Sequence, residues 1–473
     1  MTEQKPESAG KSSGELLAEQ LSFKLKSAWQ SVSPEEREAV TRFARDYTDF
    51  LDEAKTAPLC IEKCVEILRQ NNFASLDELP QSNGQIAPGT KWYQNHKNKS
   101  LVCAVQGRRP LEEGVSIIGA HADSPCINLK ANPLYEDSGL AFFDTQYYGA
   151  IKYYQWTAVP LALYGIAFAK DGTKKRVHAG GSAGDPVFCV TDLLPHLARD
   201  QMKKTAADFI DGEGLDILAG SEPFRDDKVA DAVKLAALTI LHEQYGITAK
   251  SFANAELSFV PAFGARDVGL DRSMIGAYGH DDKSGVYTAL RALIDSGTAP
   301  EKTVMCFFTD KEEAWAYDPE IQRFKNTLEA AGGGNVSKIL GKSYMLSADV
   351  NAAYDPNYAD VYDKNNDSFL GCGIALIKSG TGNYADMDFC QAIQNLLEAN
   401  NIQWQYGGCG KVGKGGGGTI ASDFAGLGIE VLDCGIPALS MHSPFEVISK
   451  IDLWAACRCY KAFFTQYGGS AHG

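Results

Sequence analysis

Five short segments constrain the possible fold of this chain more than any other feature. In each, a His, Asp or Glu lies within or directly after apolar and small residues. A short apolar run is typical of a buried strand. Its exit delivers a polar group to the edge of a sheet, where the active sites of open α/β proteins form. We therefore expect these polar groups to lie at corresponding ends of successive strands. The segments are 117–123, 279–282, 307–313, 346–349 and 439–443.

Size and charge narrow the classes of protein that remain. The 473 residues suit two or three domains, and 44 % hydrophobic residues can form a large core. A net charge of −15 argues against nucleic acid or an anionic membrane as the main partner. No apolar run approaches the roughly 20 residues that a membrane span needs. The twelve dispersed cysteines indicate a reduced, cytoplasmic protein rather than a disulfide framework.

The residue composition and the hydrophobic spacing of the chain change along its length. Residues 1–14 are polar and predicted to be disordered, and helical spacing follows over 15–29, 33–55 and 59–72. Residues 132–268 are rich in aromatic and β-branched side chains, and we interpret them as an inserted β-rich domain. Helices and strands then alternate, which favours a mostly parallel sheet flanked by helices. Residues 15–131 and 269–473 would together form the catalytic domain.

The first two segments combine imidazole and carboxylate groups. His121 and Asp123 fall on one side of an extended segment, where a carboxylate can orient a metal-binding imidazole. Asp281 and Asp282 precede a helix, and a pair there is more often a helix cap than a ligand. We choose Asp281 as a carboxylate that bridges two cations and assign Asp282 to the cap or to a supporting position.

The remaining segments complete a set of metal-type ligands. Glu312 and Glu313 follow the apolar run 304–308 and would divide their roles. Glu313 would bind a metal, while Glu312 would accept a proton from activated water and pass it to the leaving amine. Asp349 and His442 each follow an apolar stretch in the same way. Together the five segments predict a two-metal hydrolase.

The glycine-rich stretch 411–418 (KVGKGGGG) invites comparison with phosphate-binding loops. It lacks the glycine spacing of a P-loop or a dinucleotide fingerprint. We interpret it as a flexible loop at the rim of the active site.

The motifs as a set resemble the aspartyl aminopeptidase and vacuolar aminopeptidase I family of dinuclear zinc exopeptidases. The resemblance extends over nearly the whole chain in motif order and spacing. It rests on HADSPC (121–126), GHDDKSG (279–285), TDKEE (309–313), SADVNAAYDPNY (347–358), GGGGTIASD (415–423) and ALSMHSPFE (438–446). It implies a zinc exopeptidase fold with an inserted dimerisation domain, and an aminopeptidase that releases N-terminal residues from peptides.

The resemblance also implies roles for individual residues. One metal would take His121, Asp281 and Asp349, and the other Asp281, Glu313 and His442. Glu312 would be the base and Asp123 the orienter of His121. The ions would be Zn²⁺, although a carboxylate-rich site also accepts Mn²⁺ or Co²⁺. Each metal would thus have three protein ligands, with Asp281 shared between the two.

Assembly and substrate preference follow from the same resemblance. In the family, dimers build a tetrahedral dodecamer. A His in a Pro-His-Leu context completes the active site of the neighbouring subunit, and the matching residue in this chain is His196. Lys378 and Tyr384 match positions used by members that prefer acidic N-terminal residues. Two departures bear on that preference. Trp315 replaces a small residue after the Glu-Glu pair, and Asp355 replaces a His.

Two rival functions remain open from the sequence. A di-metal deacylase or carboxypeptidase would use the same ligands, and hydrolysis of free-amine against blocked substrates separates these from an aminopeptidase. A non-catalytic assembly or cargo-binding protein could retain the fold, but it would have no reason to keep all the ligands. Stoichiometric metal analysis distinguishes that class.

Overall fold

The computed structural model describes residues 11–79, 86–182, 184–297, 299–380 and 383–467. Of the segment 1–14 predicted to be disordered, residues 1–10 lie outside this range, and Ser13 and Gly14 open the first helix. The α-helices in the described residues are α1 (Ser13–Leu21), α2 (Pro34–Glu53), α3 (Ala57–Gln70), α4 (Ala232–Tyr245), α5 (His280–Ile294), α6 (Asp318–Ala330), α7 (Val336–Leu340), α8 (Met387–Ala399), α9 (Ala421–Gly426) and α10 (Lys450–Gln466).

The strands fall into three consecutive groups along the chain. The first group is β1 (Ala74–Ser75), β2 (Lys91–His96), β3 (Ser100–Val105) and β4 (Ser116–His121). The second is β5 (Cys126–Asp137), β6 (Leu140–Tyr148), β7 (Leu161–Phe168), β8 (Lys174–Ala179), β9 (Cys189–Val190), β10 (Ile217–Gly220) and β11 (Glu256–Pro261). The third is β12 (Arg266–Val268), β13 (Met274–Ala277), β14 (Val304–Thr309), β15 (Tyr344–Ser347), β16 (Asn351–Ala352), β17 (Ile374–Ile377), β18 (Ser379–Gly380), β19 (Asn383–Tyr384), β20 (Trp404–Tyr406), β21 (Glu430–Gly435), β22 (Pro437–Leu439) and β23 (Glu446–Ser449).

A nine-stranded sheet forms the centre of the molecule, in the order β1-β2-β3-β14-β4-β15-β21-β17-β20. The four central strands β14, β4, β15 and β21 are mutually parallel, whereas β2, β3 and β17 run antiparallel to neighbours. Strands that are mainly apolar and buried along their whole length, such as β14, suit this position. The predicted class, a mostly parallel sheet flanked by helices, is confirmed.

Helices cover both faces of this sheet because its side chains alternate between two cores. Leu101 and Cys103 of β3 pack into the core that includes α2, α3, α5, α8 and α10. Val102 and Ala104 pack on the opposite face with α6, α7 and α9. On that face the rings of Phe307 and Phe324 lie 5.2 Å apart. Burial of such rings supplies about 25 cal/mol per Å² of apolar surface removed from water.

A separate, antiparallel seven-stranded sheet is built from β5–β11, in the order β8-β7-β11-β5-β6-β10-β9. It has its own hydrophobic core, which includes Trp156, Phe143 and Phe259. This sheet spans Cys126–Pro261, and β12 pairs instead with β13 in a five-stranded sheet. The inserted domain was predicted over 132–268, whereas the first strand of this sheet begins earlier, at Cys126.

Helix starts follow the local sequence closely. Ser33 caps α2 with a capping box to Glu36, as Ser-Pro-Glu-Glu predicts. The first helix was predicted over 15–29 but ends at Leu21, so that prediction was wrong beyond this residue. The chain there packs instead, with the Phe23 ring 5.2 Å from the rings of Trp404 and Tyr406. Among the described helices, none has the length and apolar composition to cross a membrane.

Candidate metal centre

Three neighbouring strands of the central sheet deliver three of the expected residues to one edge. His121 is the last residue of β4, and β14 and β15 lie on either side of it. Glu312 opens a 3₁₀ turn just after β14, and Asp349 follows β15 by two residues. Because these strands are parallel, their carboxyl ends meet at the same edge.

Asp281 and His442 reach the same place from a second sheet. Asp281 lies in the first turn of α5 after β13, and His442 follows β22. Both strands belong to the five-stranded sheet of order β12-β13-β23-β22-β16. The expectation that all five segments end successive strands of one sheet was therefore wrong for these two. Short antiparallel strands there turn the chain back toward the central sheet.

The side chains form two groups that share Asp281. Nε2 of His121 lies 3.1 Å from Oδ1 of Asp281 and 3.5 Å from Oδ1 of Asp349. Nε2 of His442 lies 3.2 Å from the other oxygen, Oδ2 of Asp281, and 3.5 Å from Oε1 of Glu313. One carboxylate thus faces both imidazoles, with one oxygen toward each.

Hydrogen bonds orient both imidazoles. Nδ1 of His121 lies 3.1 Å from the backbone carbonyl of Asp123, and Nδ1 of His442 lies 2.7 Å from the carbonyl of Ala150. A carbonyl oxygen only accepts, so Nδ1 carries the hydrogen in each ring. In the neutral ring the lone pair of Nε2 then faces the carboxylates, the arrangement that suits a metal ligand.

The donor set fits a bound cation. Oε1 of Glu313 is buried without a hydrogen-bond partner, which is costly unless a cation lies beside it. Burial alone would lower the pKa of His442, but Asp281 and Glu313 raise it to about 10. Burial and the Asp281 carboxylate raise the pKa of Glu313 well above its usual range. The cluster therefore has an excess of buried negative charge that divalent ions would neutralise.

Glu312 lies beside this cluster, with Oε2 3.9 Å from Nε2 of His121. Burial raises the pKa of Glu312 to about 8. The neighbouring His121 opposes this rise, and the Asp349 carboxylate adds to it. The carboxylate of Asp123 accepts the backbone N–H groups of Glu312 at 3.3 Å and Glu313 at 3.1 Å. Asp123 thus fixes the Glu-Glu turn as well as contacting His121.

Asp282 has a different environment from Asp281. Its Oδ2 accepts the backbone N–H of His121 at 3.2 Å, and its Oδ1 accepts that of Gly285 at 3.1 Å. Ligand atoms of His121, Asp282 and Asp349 do lie within 4.8 Å of one another, as do those of His121, Asp281 and Glu313. We favour Asp281 as the shared ligand because both oxygens of Asp282 already hold backbone groups.

Sequence reasoning missed Glu446. This buried residue accepts the backbone N–H of Asp281 at 3.1 Å and that of His442 at 2.8 Å. It therefore fixes the two ligands that come from the five-stranded sheet relative to each other. The only sequence signal is a glutamate that begins the otherwise apolar and small-residue strand β23.

A cavity of about 660 Å³ opens onto the cluster. The glycine-rich loop lines it through 415–418, and Trp315, 63 % exposed, lies against Gly418. Tyr384 and the buried Asp433 also line it. Lys378 is exposed and does not line the cavity. Burial raises the pKa of the Cys390 thiol in α8, and the Lys378 ammonium partly offsets that rise.

His196 lies on an exposed turn of the segment that joins β9 and β10. It does not line the cavity of its own chain. The single chain brings together His121, Asp123, Asp281, Glu312, Glu313, Asp349 and His442, but not His196 or Lys378.

Comparison with known proteins gives a consistent family. The sequence model described as Aminopeptidase I zinc metalloprotease (M18) matches residues 50–464. A probable M18 family aminopeptidase 1 from Clostridium acetobutylicum is 38 % identical over 93 % of this chain and 97 % of its own.

Solved structures agree. The crystal structure of aminopeptidase I from Clostridium acetobutylicum has a TM-score of 0.88 at 37 % identity, covering 94 % of this chain and 100 % of its own. The crystal structure of an M18 family aminopeptidase from Thermotoga maritima has a TM-score of 0.87 at 36 % identity. It covers 94 % of this chain and 99 % of its own. The Saccharomyces cerevisiae mApe1 dodecamer shares the fold, with a TM-score of 0.74 at 21 % identity over 90 % and 97 %.

Proposed function

Because this chain belongs to the M18 family of aminopeptidase I zinc metalloproteases, we propose that it releases single amino acids from peptide N-termini at a site for two divalent cations. One observation carries the proposal. Asp281 has one carboxylate oxygen 3.1 Å from Nε2 of His121 and the other 3.2 Å from Nε2 of His442. A carboxylate with this placement can serve two ions at once.

The remaining ligands would divide between the two ions. His121, Asp281 and Asp349 would hold one, and Asp281, Glu313 and His442 the other. Zinc is the ion in the family description. A set with this many carboxylate oxygens also suits Mn²⁺ or Co²⁺.

The chemistry then divides between the ions and the protein. When bound, the ions act as Lewis acids that lower the pKa of water and polarise the scissile carbonyl. Glu312 would take the proton from the attacking water and give it to the leaving amine. Its position supports this role, because the carboxylate borders the ligands and its backbone N–H is held by Asp123. Asp123 would also help to orient His121.

The substrate side chain would occupy the cavity beside the ligands. An acidic preference, which the family resemblance implied through Lys378 and Tyr384, needs a cation near that side chain. Within the described residues, no Lys or Arg lines the cavity, whereas the Asp433 carboxyl does. These observations favour uncharged N-terminal residues over acidic ones, with Tyr384 as part of the wall.

We further propose that the inserted domain joins copies of the chain into dimers and then a tetrahedral dodecamer. Several apolar side chains close to His196 in the sequence are exposed, among them Leu194, Leu197 and Met202 at 50 %, 69 % and 70 % exposure. A group of exposed apolar side chains is typical of a protein interface. His196 would then complete the site of the neighbouring subunit. We expect the assembly to act in the cytoplasm, without nucleic acid or membrane as a partner.

The test is Glu312→Gln, which keeps the shape of the side chain and removes its basicity. We expect the variant to fold and to keep its metal by elemental analysis. Turnover of aminoacyl substrates should fall by about 10²–10⁴-fold, the usual value of a general base. Activity near that of the wild type would contradict the assignment.

The same assay separates the proposal from its rivals. Wild-type enzyme should hydrolyse peptides with a free N-terminal amine and leave N-acetylated peptides intact. Hydrolysis of the blocked peptides would instead indicate a deacylase or carboxypeptidase.

A further inference from the structure

Three consecutive residues at the end of β6, in the seven-stranded sheet, contact the metal centre. They are Tyr148, the last residue of β6, and Gly149 and Ala150, which follow it. The metal ligands themselves come from the nine-stranded and five-stranded sheets and the segments that follow their strands. The segment 148–150 is therefore a point at which the separate sheet reaches the cluster.

Tyr148 supports the carboxylate that holds the Glu-Glu turn. In the β5–β6 ladder Tyr148 pairs with Cys126, three residues after Asp123. Its hydroxyl donates to Oδ2 of Asp123 at 2.5 Å, the same oxygen that accepts the backbone N–H of Glu313. Burial and the neighbouring Asp123 carboxylate hold the pKa of the Tyr148 hydroxyl far above its usual range, so it remains a donor.

Gly149 fits directly against a ligand. Its φ of +77° lies in the left-handed region, which favours glycine. A Cβ at this position would lie 3.1 Å from Oε2 of Glu313 and 3.1 Å from Cβ of Pro125. A side chain at position 149 would therefore press on the Glu313 carboxylate.

Ala150 holds the second imidazole. Its carbonyl accepts the hydrogen on Nδ1 of His442 at 2.7 Å, and this bond fixes the ring so that Nε2 faces Asp281 and Glu313. Such outer contacts orient a ligand and set its tautomer.

We propose that the segment 148–150 positions the metal centre, acting on Glu313 and His442 directly and on His121 through Asp123. The inference rests on the two-cation site proposed above. The separate sheet would thereby control how tightly the ions bind, and not only how copies of the chain assemble.

The first test is Tyr148→Phe, with Tyr135→Phe as its matched control. Tyr135 lies in the same sheet, and its hydroxyl makes an equivalent 2.5 Å hydrogen bond to Asp216, away from the metal cluster. Zinc affinity of full-length protein is measured by competition with a chromophoric chelator. Tyr148→Phe should weaken zinc binding by about 10- to 100-fold, as loss of an outer contact usually does. Tyr135→Phe should bind zinc like the wild type.

The second test is Gly149→Ala, with Gly139→Ala as its control. Gly139 has a similar φ of +79° in the β5–β6 turn, but a Cβ there would meet nothing within 4 Å. Both changes place a side chain at a residue of positive φ, and only Gly149→Ala presses on Glu313. Zinc affinity and the visible absorption spectrum of the Co²⁺-loaded protein should change in Gly149→Ala alone.

The outcomes separate this inference from the function on which it rests. If the wild type binds no zinc, the proposed metal site is overturned and this inference with it. If the wild type binds zinc and both Tyr148→Phe and Gly149→Ala match their controls in affinity and spectrum, only the positioning role is overturned.

Discussion

The two imidazoles of the cluster are held alike although they come from different sheets. In each ring Nδ1 donates to a backbone carbonyl, that of Asp123 for His121 and that of Ala150 for His442. Backbone carbonyls cannot change charge, so they set the same tautomer at any pH at which the ring is neutral. Nε2 is then the ligand atom in both rings.

Lys378 provides a prediction about substrate preference at the same scale. Because its side chain is exposed and does not line the cavity, Lys378→Ala should change kcat/KM for an N-terminal Glu substrate by less than about threefold, a difference below 1 kcal/mol. Substrates with N-terminal Leu or Ala should be cleaved faster than the Glu substrate by the wild type. The measurement is kcat/KM over a panel of aminoacyl substrates.

A wild-type preference for Glu that Lys378→Ala selectively abolishes would contradict this view. Lys364→Ala is a suitable control, since Lys364 is an exposed lysine that does not line the cavity.

The identity of most cluster residues could be predicted from the sequence, but their supports could not. His121 ends one largely apolar strand, and Glu313 and Asp349 follow two others, so their delivery to a sheet edge is a local property of the chain. The contacts of Glu446 with Asp281 and His442 depend on how β23 packs, which local sequence does not specify.

At the scale of elements, the parallel pair β15–β21 sets the position of Asp349. Ser347 pairs with Asp433, so the chain after β15 runs beside the end of β21. A Cβ on Gly435, the last residue of β21, would lie 1.6 Å from the backbone carbonyl of Asp349. There is no room for a side chain at this position, and the backbone of Asp349 depends on that close approach.

Gly435→Ala should therefore displace Asp349. We expect a loss of about 1–3 kcal/mol in the free energy of unfolding, typical of overpacking, together with lower metal content. Differential scanning calorimetry and elemental analysis measure the two effects. Gly426→Ala in α9 is the control, because a Cβ there meets nothing within 4 Å. Full metal occupancy in Gly435→Ala would contradict the argument.

The same scale explains which elements the sequence predicts. Helix α2 begins where its capping box predicts, since a cap is a local interaction. The end of α1 at Leu21 was not predicted, because the residues beyond it pack through Phe23 on aromatic rings from β20. The five-stranded sheet that supplies Asp281 and His442 was not predicted either, because strand pairing over long sequence separations leaves no local signal.

At the scale of the whole molecule, the inserted domain would connect the metal site with the assembly proposed above. One end of its sheet reaches the ligands through 148–150, while His196 lies on an exposed turn elsewhere in the domain. The sequence predicted a β-rich insertion from composition, but the start of its sheet at Cys126 became visible only from the β5–β6 pairing.

This arrangement predicts that activity depends on a second copy of the chain. If His196 donates to the developing oxyanion of a neighbour, His196→Ala should lower the catalytic rate by about 10²–10³-fold with little change in metal content. Mixing His196→Ala with Glu312→Gln under subunit exchange should restore part of the activity. In the mixture, an intact His196 can face an intact Glu312.

Native mass spectrometry would show whether mixed oligomers have formed. A mixture that has exchanged subunits and stays as inactive as its parents would mean that His196 does not act between subunits.

The most direct measurement of the central claim is anomalous diffraction from crystals of the zinc-loaded protein. We predict two zinc peaks in each subunit, about 3.5–4 Å apart, with the Asp281 carboxylate between them. One peak should lie beside His121 and Asp349, and the other beside Glu313 and His442. A single peak, or two peaks bridged by Asp282 instead of Asp281, would contradict the account.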